Sequence, residues 1–335
     1  MISFVVIAHN EARNIGACLE AIAAQHSLSE FEVVVVDDGS TDRTADVVRA
    51  LQVHRPWLRL VEQENKGRGA ARAAGVVAAR GDVIAFVDGD VRVPPRWLAT
   101  CLAGLERFDV VGGTPVPDGD VSYVSRRFGL VPREAPAAAT VTGSNGLYRR
   151  AALDEVPFDS RLRDGEDVDI NRRLIAGGYR LACLPGLLVE HREDKTWRQS
   201  IAWLYQSGQG ATRQLVNHRE IRRPDVAFFG ALACLALALL LTPRLSVRPP
   251  GLAPARPARA HRWRGVAPTI AYLLVVSERH LRAKFVSRGG AVYRARYVAA
   301  VVVHSCLLAA YFAGRGHGLL GLISARLRRH PNGAG

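Results

Sequence analysis

Cysteine is scarce in this 335-residue chain and acid is outnumbered. The five cysteines, Cys18, Cys101, Cys183, Cys234 and Cys306, show neither CxxC nor zinc-finger spacing. An odd, dispersed set argues against a disulfide framework or thiolate metal site, and for reduced thiols in a cytosolic compartment. The 31 acidic residues face 45 Lys+Arg, nearly all arginine, for a formal charge of +14. That excess calls for an anionic partner: nucleic acid, a nucleoside diphosphate or the anionic face of a membrane. The N-terminal MISFVVIAHNE has no basic leader, so its apolar run, ending in His9-Asn10-Glu11, reads as a first strand and not as a signal peptide.

Up to about residue 190, short β-branched runs alternate with helical stretches. SFVVIA (3–8), FEVVVVD (31–37), WLRLVE (57–62) and VIAFVD (83–88) are each followed by a helical pattern, over 12–24, 41–51, 69–79 and 95–108. Apolar strands separated by helices predict a doubly wound α/β unit whose mostly parallel sheet is covered on both faces. Ligands of such sheets bind beyond the carboxyl ends of the strands. There the sequence places His9-Asn10-Glu11, Asp37-Asp38-Gly39-Ser40 and Asp88-Gly89-Asp90, an acidic, glycine-containing crevice.

In IAFVDGDV (84–91) two carboxylates follow a buried strand one glycine apart. An EF-hand is excluded, because Val93 and Ala99 occupy the positions of its glycine and glutamate. Helix capping suits one carboxylate but not two, since like charges this close repel; a hard divalent cation with open positions for phosphate would relieve them. In VDDGSTD (36–42), Gly39 permits a turn, Ser40 or Thr41 can cap a helix with Asp42 in its first turn, and Asp38 stays free for a base imide or a ribose hydroxyl. NKGRGAARAAG (65–75) matches neither the P-loop nor the GxGxxG pattern. Lys66, Arg68 and Arg72 over a helix entry still predict an anion site. Glu166-Asp167 opens a further helical run: the pair is either a helix N-terminal acid pair or a source of general base. His191 ends a strand and reads as either a structural histidine or a ligand.

HNEARNI (9–15), VVDDGSTD (35–42), NKGRGAARAAG (65–75), VDGD (87–90), TGSNGLYRRAAL (142–153), DGEDVDINRRLIAGGYRL (164–181) and LPGLLVEH (184–191) occur in an order and spacing that resembles family 2 glycosyltransferases. The resemblance covers about 190 residues and rests on co-occurrence, each motif being weak alone. It implies a GT-A fold, a UDP- or GDP-linked sugar donor, Mn2+ or Mg2+, and inversion at the anomeric carbon, with no nucleic-acid partner. Carried over residue by residue, Ala8, Asn10, Glu11, Asp38, Lys66, Arg72, Asp88 and Gly89 fall on the donor side. Asp90, with Asp88 and His191, would meet the metal and diphosphate. Asp167, in the pair with Glu166, is similar to the catalytic base, and Gly143, Ser144 and Asn145 stand on the acceptor side. Two departures stand out. The proline usual before the asparagine–glutamate pair is missing, which touches base specificity. No QxxRW follows the acid pair, which favours a single-addition enzyme over a processive synthase. In its place TWRQSIAWLYQSGQG (196–210) carries an apolar, aromatic face through Trp197, Ile201, Trp203, Leu204 and Tyr205, suiting an interface helix or packed core equally.

Composition changes after about residue 215, and we take 1–215 as the catalytic domain and 216–335 as a membrane-associated helical region. Val226–Thr242 is 17 residues without charge, about 25 Å as a helix against a hydrocarbon core of about 30 Å. Tyr297–Gly314 is 18 residues with one His. Twelve Lys+Arg and one acid, Glu278, lie between Arg244 and Arg296. Exporting them would violate the positive-inside tendency, so one or both segments are expected to be re-entrant or interfacial, helped by Val266–Ser277. The Pro/Arg-rich 248–264 is either a headgroup-binding segment or a linker. The expectation is a hexosyltransferase-type enzyme at the cell membrane, its catalytic domain facing the cytoplasm and its acceptor a lipid-linked or cell-surface glycan precursor. A nucleotidyltransferase would need a triphosphate loop where HNEARN stands, and a non-catalytic scaffold would not need the intact acids.

Overall fold

The computed structural model describes residues 1–25, 30–116, 122–128, 140–192, 195–219, 221, 223–241, 267–285 and 291–329. β1 (Ile2–Ala8), β2 (Phe31–Asp38), β3 (Leu58–Gln63) and β4 (Val83–Asp88) pair in parallel in the order β3-β2-β1-β4. Alternate residues feed two cores. Phe4, Val6, Val33, Val35, Ala85 and Val87 pack with Leu19 of α1 (Ile15–Ala23), Val48 of α2 (Thr44–Gln52) and Trp97 of α4 (Trp97–Gly104). Val5, Ile7, Val34, Val36, Ile84 and Phe86 form the other core with Ala71 of α3 (Arg68–Ala78), Leu153 of α6 (Arg150–Glu155) and Ile170 of α7 (Glu166–Ala176). α5 (Ser122–Phe128) lies in sequence between α4 and α6. With both faces buried, neither set of alternate residues can be polar, which is why the strands read as continuous apolar runs.

The sheet continues through β7 (Asn145–Arg149), β6 (Val110–Val116), β8 (Leu181–His191) and β5 (Val91–Arg92), giving the order β3-β2-β1-β4-β7-β6-β8-β5. The expected mostly parallel sheet is therefore mixed: β7 is antiparallel to β4 and β6, and β5 to β8. Connectivity also forces this sheet to curl. Only Gly89 and Asp90 separate β4 from β5, so their ends lie within about 11 Å. Four inter-strand steps separate the same two strands along the ladder, about 19 Å if flat. The β8–β5 end must therefore bend back towards the carboxyl end of β4.

Contacts divide the chain into two compact units, Met1–Tyr123 with Glu134–Ser200, and Val124–Arg133 with Ile201–Gly335. The division and the expected boundary at 215 both fall within α8 (Trp197–His218). The second unit contains α9 (Arg223–Leu241), α10 (Ala267–Lys284) and α11 (Ala291–Arg329). There α8 and α11 touch main chain to main chain: a Cβ on Gly208 would lie 2.0 Å from Tyr311 O, and one on Gly314 1.9 Å from Tyr205 O. Leu204 is buried and the Tyr205 hydroxyl meets His317, so this part of the aromatic segment is packed. Arg315 and Asp225, both fully buried, form an ion pair, and the guanidinium lies 5.0 Å from the Phe228 ring. Of the two expected apolar segments, one lies in a helix long and apolar enough to cross a membrane among the described residues: Arg294–Leu322, 29 residues. Among the described residues α9 shows the shorter apolar stretch Asp225–Cys234. The segment 248–264 lies outside the described residues.

Gly75 shows how closely α3 seats on the sheet, since a Cβ there would lie 2.2 Å from Val5 Cγ1. Gly75→Ala is expected to destabilise the α/β unit by about 1–3 kcal/mol through overpacking, read as a lower urea midpoint at unchanged slope.

Candidate active site

Strand register assembles the site. Ile7 faces Asp88 across the β1–β4 ladder and Val87 faces Asn145 across β4–β7. The Asp88 N–H donates to Ser144 O (3.2 Å) and the Gly89 N–H to Ile7 O (2.9 Å), fixing the turn between the two acids. A Cβ on Gly89 would press on Ala8 Cβ at 3.2 Å and Glu11 Cβ at 3.4 Å, so the β1–α1 loop packs directly on this turn. Across the curl, Val91 pairs with His191 and the Arg192 N–H donates to Asp90 O (2.8 Å). His191 Nε2 then lies 3.2 Å from Asp90 Oδ2. Burial would raise the Asp90 carboxyl, yet His191, Lys195 and Arg68 hold it below its ordinary value. Glu11 goes the other way: burial and the charge on Asp90 push it up to about 7, against a hydrogen bond from Asn14. Asp90 and His191 are thus in contact, and the charges of Asp90 and Asp88 act on Glu11. Lys195 joins them electrostatically, a residue that the charged run HREDK gave no reason to select.

The loops beside this cluster differ from their sequence reading. Asn10 adopts a left-handed conformation, φ 61°, which asparagine tolerates better than most residues. Its Oδ1 accepts from Thr41 N (2.7 Å) and Asp42 N (3.3 Å), and its own N–H donates to Ser40 Oγ (2.8 Å), tying β1–α1 to β2–α2. Neither Ser40 nor Thr41 caps α2; the helix starts at Thr44, whose N–H and hydroxyl donate to Asp42 Oδ1. Ser40 instead donates to Asp37. Asp38 is not free. It is 5% exposed, and its carboxylate accepts from Gln63 Nε2 (2.6 Å), Lys66 N (2.9 Å) and Gly67 N (2.8 Å).

The α3 entry is likewise engaged from within. The Arg68 N–H donates to Arg163 O (3.2 Å) and the Gly69 N–H to Leu162 O (3.0 Å), while the Arg68 side chain pairs with Asp164 at 2.6 Å. The expected anion site at this helix N-terminus is thus filled by carbonyls, leaving the Lys66 side chain exposed at its edge. Arg72, expected near the nucleotide, is buried: Nη2 donates to Asp88 Oδ1 and Nε to Glu166 Oε1, both at 2.9 Å. Glu166, placed beside Asp167 as catalytic, is buried with it. Burial and the charge on Asp167 push its carboxyl up to about 7, against the pull of Arg72. Asp167 is only half-buried; its Oδ2 accepts from Gly143 N (3.2 Å) and its Oδ1 from Val168 N (2.7 Å).

Of the residues expected on the acceptor side, Asn145 is fully buried, its Oδ1 accepting from Gly113 N (2.6 Å) and its Nδ2 donating to Thr142 Oγ1 (3.0 Å). Ser144 is buried and supports Asp88 through its carbonyl. Gly143 lies against Arg72. All three are buried around the start of β7, beside Asp88 and Arg72.

Residues 3–156 match the family model described as glycosyl transferase family 2. This stretch of the α/β unit, residues 3–156, is a family 2 glycosyltransferase domain. Relatives include glycosyltransferase AglE of Haloferax volcanii, 31% identical over 193 residues, 54% of this chain and 63% of that protein. Another is the succinoglycan biosynthesis protein ExoO of Rhizobium meliloti, 35% identical over 223 residues, 59% of this chain and 62% of that one. Across the first three relatives the match spans 53–63% of their own length. The mannosyltransferase PcManGT of Pyrobaculum calidifontis, solved in complex with GDP-Man and Mn2+, superposes with a TM-score of 0.59 at 19% identity, over 96% of this chain and 87% of that one. The domain has the GT-A fold.

Glu166 gives the glycosyltransferase domain a pH-dependent stability. Its pKa is higher folded, about 7, than the ordinary 4.5, so between those values the folded state binds more protons and stability falls as pH rises, levelling above 7. Glu166→Gln is expected to remove this part of the loss, seen as a smaller difference between urea midpoints at pH 5 and pH 8.

Proposed function

We propose that this protein is a membrane-associated, inverting glycosyltransferase that moves a hexosyl group from a UDP- or GDP-linked donor to a lipid-linked or cell-surface glycan precursor. The observation that carries the reading is the pairing of Asp90 with His191 beside Asp88 on one side, with the partly open Asp167 at the start of α7. A carboxylate and an imidazole suit Mn2+, and to a lesser degree Mg2+, as ligands. Among the described residues no group of three or more His, Cys, Asp or Glu forms a metal cage. An ion here would take few ligands from the protein, its other positions going to water and phosphate oxygens. Asp90 and His191 would hold it, with Asp88 adjacent; when bound, it would offset charge on the departing diphosphate.

Asp167 is the proposed base. Gly143 N and Val168 N orient its carboxylate. It would take the acceptor proton as the acceptor oxygen bonds to the anomeric carbon and the bond to the diphosphate oxygen breaks on the opposite face. The exposed Asn10 and Lys66 side chains, with the partly buried Glu11, would meet base and ribose. The names of relatives support a glycan acceptor, and the Pyrobaculum enzyme pairs this fold with a nucleotide sugar and Mn2+. α11 is the proposed anchor and the glycosyltransferase domain is placed on the cytoplasmic side, where nucleotide sugars are made.

A screen of UDP- and GDP-sugars with Mn2+, read by thermal stabilisation and sugar release, should yield one preferred donor; no response to any would sink the reading. Asp167→Asn should keep donor binding while turnover falls by about 100-fold or more; full activity would remove it as base. Asp90→Ala should abolish Mn2+-dependent binding of nucleoside diphosphate, measured calorimetrically.

A further inference from the structure

Arg72 is 1% exposed and offers no surface to a ligand, yet it touches both ends of the site. It rises from α3, meets Asp88 at the end of β4 through Nη2, and meets Glu166 at the start of α7 through Nε. The Phe86 ring lies 5.5 Å from its guanidinium carbon. Gly143 lies just as close: a Cβ there would fall 2.7 Å from Nη2, 3.0 Å from Cζ and 3.1 Å from Nε. The same Gly143 donates its N–H to Asp167.

We propose that Arg72 is a positioning residue that sets the separation between Asp88 at the nucleotide-sugar end and the Glu166-Asp167 pair at the base end, and that Gly143 is the gap that admits it. The inference rests on the glycosyltransferase reading above. A guanidinium is planar and its N–H groups are rigidly spaced, so two carboxylates bonded to different nitrogens are held at one distance. Lysine offers a single point charge on a flexible stem and cannot reproduce that spacing. Burial makes the constraint strict: either carboxylate loses its partner if the guanidinium moves, and a buried unpaired charge is costly. Because Asp167 follows Glu166 directly and is bonded to Gly143, its position depends on the same contact.

The test uses the full chain, with UDP and GDP binding in Mn2+ measured calorimetrically and sugar release from UDP-glucose, UDP-N-acetylglucosamine and GDP-mannose measured kinetically. In Arg72→Lys, kcat should fall by about 100-fold, the scale of a misplaced reacting group, with nucleoside diphosphate affinity changed less than about threefold. Gly143→Ala, which leaves every charge in place, should show the same split, lower kcat at little-changed donor KM. Loss of nucleotide binding in proportion to turnover in Arg72→Lys would make Arg72 a donor contact and overturn the proposal. Wild-type kcat in both variants would overturn it as well. Should Arg72→Lys fail to fold, Gly143→Ala alone decides. A wild-type chain that neither binds nor cleaves any probe removes the enzyme reading and this inference with it, whereas an active wild type with unaffected variants removes this inference alone.

Discussion

The two residues between β4 and β5 constrain the rest of the catalytic unit. A link this short cannot cross the three intervening strands of a flat sheet, so the sheet curls and its far edge, carrying β8, comes back to the end of β4. The curl makes neighbours of Asp90 and His191, which are 101 residues apart in sequence. It also brings the end of β4, the start of β7, the end of β8 and the β1–α1 loop together at one edge of the sheet. Gly89 is small because the β1–α1 loop lies on it.

Most of the polar groups that line this crevice hold the crevice itself. Asp38 gathers three donors from the β3–α3 segment, Asn10 stitches two loops, and Asn145 ties β7 to β6. Asp88, Asp90, Glu11, Asp167 and His191 stay partly exposed, and Asn10 and the Lys66 side chain fully so. Structure and chemistry therefore share the same motifs, with alternate residues of a motif serving each: in Asp88-Gly89-Asp90 the first acid faces Arg72 and the second faces His191.

Local signals in the sequence were strong where the physics is local. Strands 2–8, 31–38, 58–63 and 83–88 follow from β-branched runs, and their helices from 3.6-residue spacing, so the α/β class and the crevice at the strand ends were legible. What was not legible depends on distant chain. β7 enters the sheet backwards, which no local pattern in NGLYR announces. The α3 entry resembles an anion site until carbonyls from residues 162 and 163 fill it. Asp38 looked free because its partners, Gln63, Lys66 and Gly67, come from the next loop. The α2 start was misread because Asp42 competes with Ser40 and Thr41 for the same duty, and those two are engaged by Asp37 and Asn10. Arg72 was read as lying near the nucleotide, but a charge on an amphipathic helix gives no sign of whether it faces ligand or protein.

The close approach of Gly208 to the Tyr311 main chain and of Gly314 to the Tyr205 main chain sets a different kind of limit on the helical unit. There the main chains of α8 and α11 meet with no room for a methyl group. Hydropathy is the usual guide to what a membrane-associated helix tolerates, yet at these two positions alanine and leucine, both compatible with lipid, would be excluded as firmly as aspartate. Sequence drift in this region is therefore governed by volume at the crossing and by polarity elsewhere, and a replacement at one glycine cannot be rescued by shrinking its partner, because the obstacle is backbone.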